Sequence, residues 1–165
     1  MRSERLKIVF NHLNPRQNVW DFCCDHGYLG AAAYKSQNFG DIYFVDQVDT
    51  IIEHLKNRFH KYSYSESNLS KAYFICQSGE SIDVDVTGTV CITGVGGTTI
   101  FQILSGLSAN DRLLADRLIL GPHKDNEKLL KLLSEHGDLK KYKLSHQIAI
   151  TENDRIRELF IFDLK

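Results

Sequence analysis

The sequence has no surplus of either charge and no long apolar run near its start. Its 165 residues include 20 Lys and Arg against 21 Asp and Glu, a formal net charge of −1. A chain this close to neutral has no strong field towards nucleic acid or membrane, which argues against a DNA-bound protein but allows one basic face. Because no apolar N-terminal run occurs, we expect no secretory signal, no membrane partner and a cytoplasmic location.

Metal-binding patterns are also absent. The four cysteines, Cys23, Cys24, Cys76 and Cys91, include no C-x-x-C pair, and no His-Glu zinc pattern occurs. Each cysteine lies in an apolar, strand-like segment. The sequence therefore predicts no metal site and favours buried free thiols in a reducing cytoplasm.

Common nucleotide and hydrolase motifs are missing as well. No Gly-Lys-Ser/Thr occurs, which excludes a P-loop, and no G-x-S-x-G elbow supports a hydrolase. A nicotinamide site would require G-x-G-x-x-G after the first strand, so that the backbone can approach a pyrophosphate. That turn instead contains Cys23, Asp25 and His26.

Short apolar segments alternate with longer amphipathic ones along most of the chain. The predicted strands cover 19–23, 42–45, 72–76, 86–93 and 117–120. The predicted helices cover 3–13, 28–36, 48–62, 98–107 and 126–136. Ser3 is the expected N-cap of the first helix, Gly40 closes the second, and 63–70 is a polar loop.

The organisation changes at the end of the chain. Two further strand patterns, 143–150 and 156–164, are separated by too few residues for a crossover helix, so they predict an antiparallel hairpin. The sequence therefore predicts an α/β fold in one domain, 1–165. Its sheet is mainly parallel and seven-stranded, with a C-terminal antiparallel hairpin and helices on both faces.

Polar or glycine-rich loops follow four of the five predicted parallel strands. These loops are 21–27, 46–47, 78–79 and 94–97. The carboxyl ends of parallel strands share one edge of a sheet, and open α/β folds bind their ligands there. Any single glycine in these loops is as readily a turn or a helix cap. The four loops together predict a ligand site.

Two aspartates indicate which ligand this edge prefers. Asp46 ends the second strand, where it can accept hydrogen bonds from both hydroxyls of a ribose or cap the next helix. Asp25 lies in the first turn, where it would repel a pyrophosphate and attract a cation. This favours S-adenosylmethionine, which carries an amino group and a sulfonium but no phosphate. His26 is then a turn cap or a base, and His123 is a surface residue or a ligand contact.

Three motifs connect the sequence to a known family. Asp-Phe-Cys-Cys-Asp-His-Gly-Tyr-Leu at 21–29, Thr-Gly-Val-Gly-Gly at 93–97 and Leu-Gly-Pro-His at 120–123 resemble the bacterial tRNA adenine-N1 methyltransferases that modify the D-arm. The resemblance runs from Arg5-Leu6 to the last hairpin. It implies a Rossmann-like class I methyltransferase fold, S-adenosylmethionine as cofactor and tRNA as substrate.

The resemblance also implies roles for individual residues, with the methionine end of the cofactor at 25–27, the ribose at Asp46 and the adenine at 78–79. The expected cofactor-binding residues are Asp21, Cys23, Asp25, His26, Gly27, Tyr28, Asp46, Gln47, Ser78, Gly79, Gly94 and Val95. The expected catalytic residues, which border the methyl group and the target base, are Gly94, Gly96, Gly97 and His123. The expected contacts to RNA phosphates are Lys124, Lys140, Lys141 and Lys143.

The sequence departs from the family pattern at several positions. Cys23 replaces a Gly, Ser78 an Asp, Thr50-Ile51 a Gly-Pro, and His123 an Asn. The family's C-terminal helical domain, which resembles a coiled coil and helps to hold tRNA, has no counterpart in these 165 residues. Two alternatives stay open: a non-catalytic binding module of the same fold, and a methyltransferase for a small molecule or protein. A separate RNA-binding partner stays open as well.

The chemistry that the resemblance implies needs little from the protein. Adenine N1 already carries a lone pair, so the site must align that nitrogen with the sulfonium methyl and exclude water. Positive charge moves from sulfur to the base, and Asp25 and the backbone carbonyls near Gly94 can stabilise it. A paired adenine must first leave its stack, at a cost of a few kcal/mol.

Overall fold

Strands and helices alternate along the chain up to the last two strands. The computed structural model describes residues 3–61, 70–152 and 154–165. The strands are β1 Val19–Phe22, β2 Ile42–Asp46, β3 Ala72–Cys76, β4 Val86–Thr93, β5 Leu113–Gly121, β6 Tyr142–Glu152 and β7 Arg155–Leu164. The helices are α1 Glu4–Asn11, α2 Tyr28–Ser36, α3 Asp49–Lys61, α4 Gly97–Ala109 and α5 Asn126–Glu135. Short 3₁₀ turns lie at Gly79–Ser81 and Asp138–Lys141.

The strands form one sheet in the order β3-β2-β1-β4-β5-β7-β6. Strands β1 to β5 are parallel, and β7 is antiparallel to both β5 and β6. The strand order reverses between β1 and β4, and the carboxyl ends of such neighbours leave a crevice in which open α/β folds bind ligands. The predicted mainly parallel sheet with a C-terminal antiparallel hairpin is confirmed.

The sheet separates two apolar cores. Successive strand residues point to opposite faces, so Val19 packs with α1, α2 and α3, whereas Trp20 packs with α4 and α5. All four residues of β1 are buried, as its continuous apolar run predicts for a strand covered on both faces. The predicted helices on both faces are confirmed, and they place β1 in the centre of the molecule.

The end of α2 differs from the prediction. Gln37, rather than Gly40, takes the left-handed position after the helix, with φ of 54°. Its backbone N–H donates to the Tyr34 carbonyl, and its side-chain amide donates to the same oxygen at 2.6 Å. Gly40 is required for a different reason: a Cβ there would lie 2.6 Å from the Asn18 side chain.

Strand β5 is longer than the sequence predicts. It begins at Leu113 rather than at Arg117. Two polar residues, Asp116 and Arg117, interrupt the apolar pattern of the strand. The charge of Arg117 is paired with Asp163 on β7, with 2.7 Å between Nε and Oδ1.

The predicted loop 63–70 lies outside the described residues, apart from Ser70.

The cysteines are free, but only two of them are buried. Cys24 and Cys91 lie in the core, as expected, whereas Cys23 is half-buried and Cys76 is exposed. Cys23 lies in the turn after β1 rather than in the strand, and Cys76 ends an edge strand. Within the described ranges, no three His, Cys, Asp or Glu side chains are grouped to hold a metal ion. No helix there is long and apolar enough to cross a bilayer.

Candidate cofactor site

A cavity of about 590 Å³ opens at the carboxyl ends of the central strands. This volume is typical of sites for small molecules and cofactors, which span ~300–1,000 Å³. All four loops that the sequence singles out contribute to its wall. The predicted residues that line it are Cys23, Asp25, Asp46, Gln47, Ser78, Gly79, Gly94 and Val95.

The turn between β1 and α2 is unusually tight. Cys23, Asp25 and Gly27 all have positive φ, of 53°, 47° and 59°. The Gly27 N–H donates to the Cys24 carbonyl at 2.6 Å, which closes the turn. A side chain at Gly27 would be strained, because φ is positive there and a Cβ would also lie 2.7 Å from the Leu55 side chain of α3. The turn leaves the Asp25 side chain exposed at the cavity.

Asp46 ties the end of β2 to this turn. One carboxylate oxygen accepts the Asp25 N–H at 3.4 Å, and the other accepts the Val48 N–H at 3.0 Å. The second bond caps the approach to α3, and Asp46 also lines the cavity, while its contact to a ribose stays a prediction. Each oxygen keeps free lone pairs for a ligand in the cavity.

Asp21 lies beneath the cavity rather than in its wall. Its buried carboxylate accepts the Gly30 N–H at 3.1 Å, which anchors the first turn of α2 to β1. Burial raises the pKa of Asp21 to about 7, the charge of Asp46 adds to the rise, and the Gly30 N–H partly opposes it. Asp21 therefore holds the turn in position without facing the ligand space.

The sequence motifs do not indicate the cavity residues on α4 or Glu80. Thr99, Gln102 and Ile103 line the cavity from α4. Their i, i+3, i+4 spacing places them on one helix face, and that periodicity is the signal that could have found them. Glu80 enters from the 3₁₀ turn after β3.

The cavity carries negative charge without a compensating cation. Three carboxylates line it, from Asp25, Asp46 and Glu80, and none of the described residues that line it is Lys, Arg or His. Burial raises the pKa of the Cys23 thiol to about 11, with added contributions from the charges of Asp46, Asp21 and Glu80. The thiol is therefore neutral at physiological pH, and the cavity suits a cationic ligand rather than a pyrophosphate.

The glycine loop after β4 is held by the loop after β5. The His123 N–H donates to the Val95 carbonyl at 3.0 Å, and the Gly97 N–H donates to the Lys124 carbonyl at 3.0 Å. The His123 ring approaches the Gly94 carbonyl at 3.0 Å through Nδ1. Because a carbonyl only accepts, this contact places the proton on Nδ1 and leaves Nε2 with a free lone pair when the ring is neutral.

The remaining predicted residues lie around the cavity. Gly96 and Gly97 begin α4, and His123 contacts the wall residue Gly94 without lining the cavity itself. His26 lines a smaller cavity of about 200 Å³ beside the turn. Tyr28 is exposed at the start of α2. The Arg58 guanidinium donates to the His26 carbonyl at 2.6 Å and lies over the Tyr28 ring at 5.8 Å.

Comparison with known proteins agrees with this geometry. The sequence model of a family described as methyltransferase domain matches residues 2–160. The chain belongs to this methyltransferase family. The fold class predicted from the sequence is confirmed. The predicted enzyme class, an S-adenosylmethionine-dependent methyltransferase, is confirmed at the level of the family. No curated protein matches the sequence.

Solved structures resemble this methyltransferase domain closely in fold at low sequence identity. The Bacillus subtilis m1A22 tRNA methyltransferase TrmK is 20% identical, with a TM-score of 0.80 over 100% of this chain and 67% of that one. Mycoplasma capricolum TrmK, solved with S-adenosyl-homocysteine, is 20% identical, with a TM-score of 0.76 over 100% of this chain and 70% of that one. An uncharacterized protein from Listeria monocytogenes serotype 4b is 21% identical, with a TM-score of 0.80 over 100% and 69%.

The lysines predicted to contact RNA lie at opposite edges of the methyltransferase domain. Lys124 follows β5 at the cavity edge, where its side chain would meet a Cβ at Gly96 at 3.1 Å. The Lys141 ammonium donates to the carbonyl of Leu113, the first residue of β5. Lys143 lies opposite Asp163 in the β6–β7 ladder, at the same end of the sheet. Lys140 adjoins them in the 3₁₀ turn. The cluster at 140–143 is thus separated from the cavity by the length of the sheet.

Proposed function

We propose that this chain transfers the methyl group of S-adenosylmethionine to adenine N1 of tRNA. The observation that carries the proposal is the cavity with three carboxylates and no lining cation at the carboxyl edge of the sheet. Its charge matches a ligand with an ammonium and a sulfonium group. The similarity in fold to the Bacillus subtilis m1A22 tRNA methyltransferase, over 100% of this chain and 67% of that one, supports adenine N1 as the target.

The residues of the cavity fit the parts of this cofactor. Asp46 would accept hydrogen bonds from the ribose hydroxyls, and Asp25 would pair with the ammonium of the methionine end. Phe22, Val45 and Ile103 provide apolar wall for the adenine ring. The sulfonium methyl group would then face the loop at 94–97, which the contacts of His123 hold in place.

The acceptor base would be positioned by the same loop. The Gly94 carbonyl is fixed by the His123 ring, and the free lone pair of Nε2 can accept a hydrogen bond from the amino group of an adenine. Adenine N1 needs no deprotonation before it attacks the methyl group. His123 and the glycine loop therefore act by alignment and by exclusion of water rather than as a strong base.

The positions of the lysine side chains indicate how RNA would approach the cavity. Lys124 lies beside the glycine loop, where it can contact the phosphates that flank the target nucleotide. The cluster at 140–143 could contact only RNA that extends along the whole sheet, or a separate partner that brings the tRNA. We therefore assign the phosphate contact nearest the reacting base to Lys124.

A methyl-transfer assay on tRNA tests the proposal directly. Purified protein, labelled S-adenosylmethionine and unmodified tRNA transcript should give 1-methyladenosine, detected by mass spectrometry of the digested nucleosides. Transcripts with each candidate adenine replaced by guanine locate the modified position. Calorimetry with S-adenosylhomocysteine tests cofactor binding. If no binding occurs at millimolar ligand, the proposal is wrong.

A non-catalytic binding module is the second candidate, because the Cys23 side chain enters the cavity wall where the family has glycine. Such a module would bind S-adenosylhomocysteine, or a partner, without transferring label to tRNA. Transfer to small metabolites or proteins, with none to tRNA, would instead identify a methyltransferase of different substrate class. The same assay, run on these three acceptor pools, separates the candidates.

A further inference from the structure

The β5–α5 connection, residues 122–125, supports the glycine loop at 94–97. His123 contacts this loop through both its N–H and its ring. The last residue of the loop, Gly97, lies so close to the connection that a Cβ there would meet the Asp125 carbonyl oxygen at 2.6 Å. A displacement of the connection would therefore also move the loop that borders the cavity.

Strand β7 holds the connection and the start of α5 with two consecutive side chains. The Arg157 guanidinium donates to the His123 carbonyl, with 2.9 Å between Nη1 and the oxygen. The Glu158 carboxylate accepts from the side-chain amide of Asn126, the first residue of α5, with 2.6 Å between Oε2 and Nδ2. Because successive strand residues point to opposite faces of a sheet, the two hydrogen bonds reach this segment from both faces.

Both side chains are fixed within the C-terminal hairpin. Arg157 and Glu158 are half-buried. The Gln147 amide of β6 donates to the second Glu158 oxygen at 2.8 Å, which fixes the orientation of the carboxylate. Arg157 directs its guanidinium to a backbone carbonyl beside the glycine loop, so this contact restrains the main chain. The hairpin is thus connected to the edge of the cavity by two charge-assisted hydrogen bonds.

We propose that Arg157 and Glu158 are positioning residues for methyl transfer, which act through the β5–α5 connection on the glycine loop. The inference rests on the proposed function, in which this loop borders the methyl group and the acceptor base. Neither side chain lines the cavity, so we assign them no contact with the cofactor. Their effect falls on alignment in the transfer step, where a displacement of about 1 Å can cost roughly 100-fold in rate.

Single-turnover methyl transfer to tRNA tests this role. Arg157→Met keeps the apolar length of the side chain but removes the donor, and it should slow transfer by roughly 10- to 100-fold. The affinities for S-adenosylhomocysteine and tRNA should stay within about twofold, because the lost group contacts neither ligand. Arg157→Lys keeps an N–H donor at this position and should recover most of the rate. Glu158→Ala should slow transfer without loss of affinity, as Arg157→Met does.

Amide hydrogen exchange gives a second readout that does not depend on activity. The N–H groups of Gly94 and Gly97 donate to carbonyls at the end of β5 and in the connection. Exchange requires these hydrogen bonds to open. It should therefore be several-fold faster at 94–97 in Arg157→Met than in the wild type. Arg155→Met is the matched control, because Arg155 is an exposed arginine of the same strand and lies opposite Glu152 at the start of the hairpin. It should change neither rate nor exchange.

The outcomes separate this role from the proposed function. If the wild type methylates tRNA and Arg157→Met and Glu158→Ala transfer at the same rate, the positioning role is wrong and the proposed function stands. Weaker tRNA binding at an unchanged rate would also contradict positioning, because it would place the guanidinium on the RNA. If the wild type transfers no methyl group to tRNA, the proposed function is wrong, and exchange at 94–97 still decides whether the hairpin restrains the loop. Thermal melts confirm that each variant is folded.

Discussion

The Asp46 carboxylate accepts the backbone N–H of Asp25, with 3.4 Å between Oδ2 and N. This bond joins the end of β2 to the turn after β1, although the residues are 21 positions apart in sequence. It brings two carboxyl groups to one wall of the cavity. Asp46 thus both holds the turn and lines the cavity.

Replacement of Asp46 should therefore weaken cofactor binding strongly. We expect Asp46→Ala to reduce the affinity for S-adenosylhomocysteine by roughly 10- to 100-fold, since it removes charge-assisted hydrogen bonds. Asp49→Ala, at the exposed start of α3, removes the same charge outside the cavity and should change affinity less than twofold, about 0.4 kcal/mol. Equal losses in the two variants would show that the effect is a general change of charge. Isothermal titration calorimetry measures both.

Asp25 tests the placement of the methionine end. Asp25→Ala should abolish measurable cofactor binding, because the ammonium group loses its carboxylate, while the circular dichroism spectrum stays native. Asp25→Asn keeps the shape and tolerates the left-handed backbone, with φ of 47° at this position, so it isolates the charge. Retained affinity in both variants would place the methionine end elsewhere in the cavity.

Cys23 is held in a backbone conformation that favours glycine. We expect Cys23→Gly to raise the free energy of unfolding by roughly 0.5–1 kcal/mol, because φ is 53° at this position. The smaller residue also widens the cavity, so cofactor affinity should be equal or tighter. Asp111→Gly removes a similar left-handed strain, φ 55°, away from the cavity, and should stabilise without any change in affinity. A marked loss of affinity in Cys23→Gly would show that the thiol contributes to the site.

Asp21 should make the stability of the fold depend on pH. Burial raises its pKa from 3.8 to about 7, so the folded state holds a proton that the unfolded state releases between these values. The contribution of Asp21 therefore favours folding most at acidic pH, and it declines as pH rises from about 4 to about 7. Asp21→Asn keeps an acceptor for the Gly30 N–H without the charge.

Urea unfolding at pH 5 and pH 8 measures this effect. The wild type should lose more stability than Asp21→Asn on going from pH 5 to pH 8, by an amount of the order of 1 kcal/mol or more. The comparison between variants cancels the titration of the other groups. An identical pH dependence in both proteins would show that Asp21 is already ionised in the fold at pH 5.

Charge reversal at Lys124 and at Lys140 tests which end of the sheet contacts RNA. We expect Lys124→Glu to weaken tRNA binding several-fold. The slope of log affinity against log salt concentration should fall by about one, which corresponds to one lost phosphate contact. Lys140→Glu reverses the same charge at the opposite edge and should have little effect. Filter binding across a salt series measures both variants. A larger loss in Lys140→Glu would indicate that RNA lies along the full length of the sheet.

The amino-acid sequence alone determined the order of strands and helices along the chain. It also determined that the candidate site lies at the carboxyl ends of the parallel strands. Parallel strands joined by helices must place their carboxyl ends together, so the loops containing Asp25, Asp46, Ser78 and Gly94 converge whatever the details of packing. The same reasoning selected a cationic cofactor, because the turn after β1 carries an aspartate where a dinucleotide fold carries glycine. These conclusions need only periodicity, turn chemistry and charge.

Tertiary structure decided which side chains reach the ligand space. Asp21 and Cys23 are two residues apart, yet one is buried under α2 and the other enters the cavity wall, because the chain leaves the strand between them. Glu80 enters the site because α4 packs on a 3₁₀ turn. Lys140 lies far from Lys124 because β6 starts at the opposite edge of the sheet. Each outcome depends on contacts between segments remote in sequence, which local patterns do not encode.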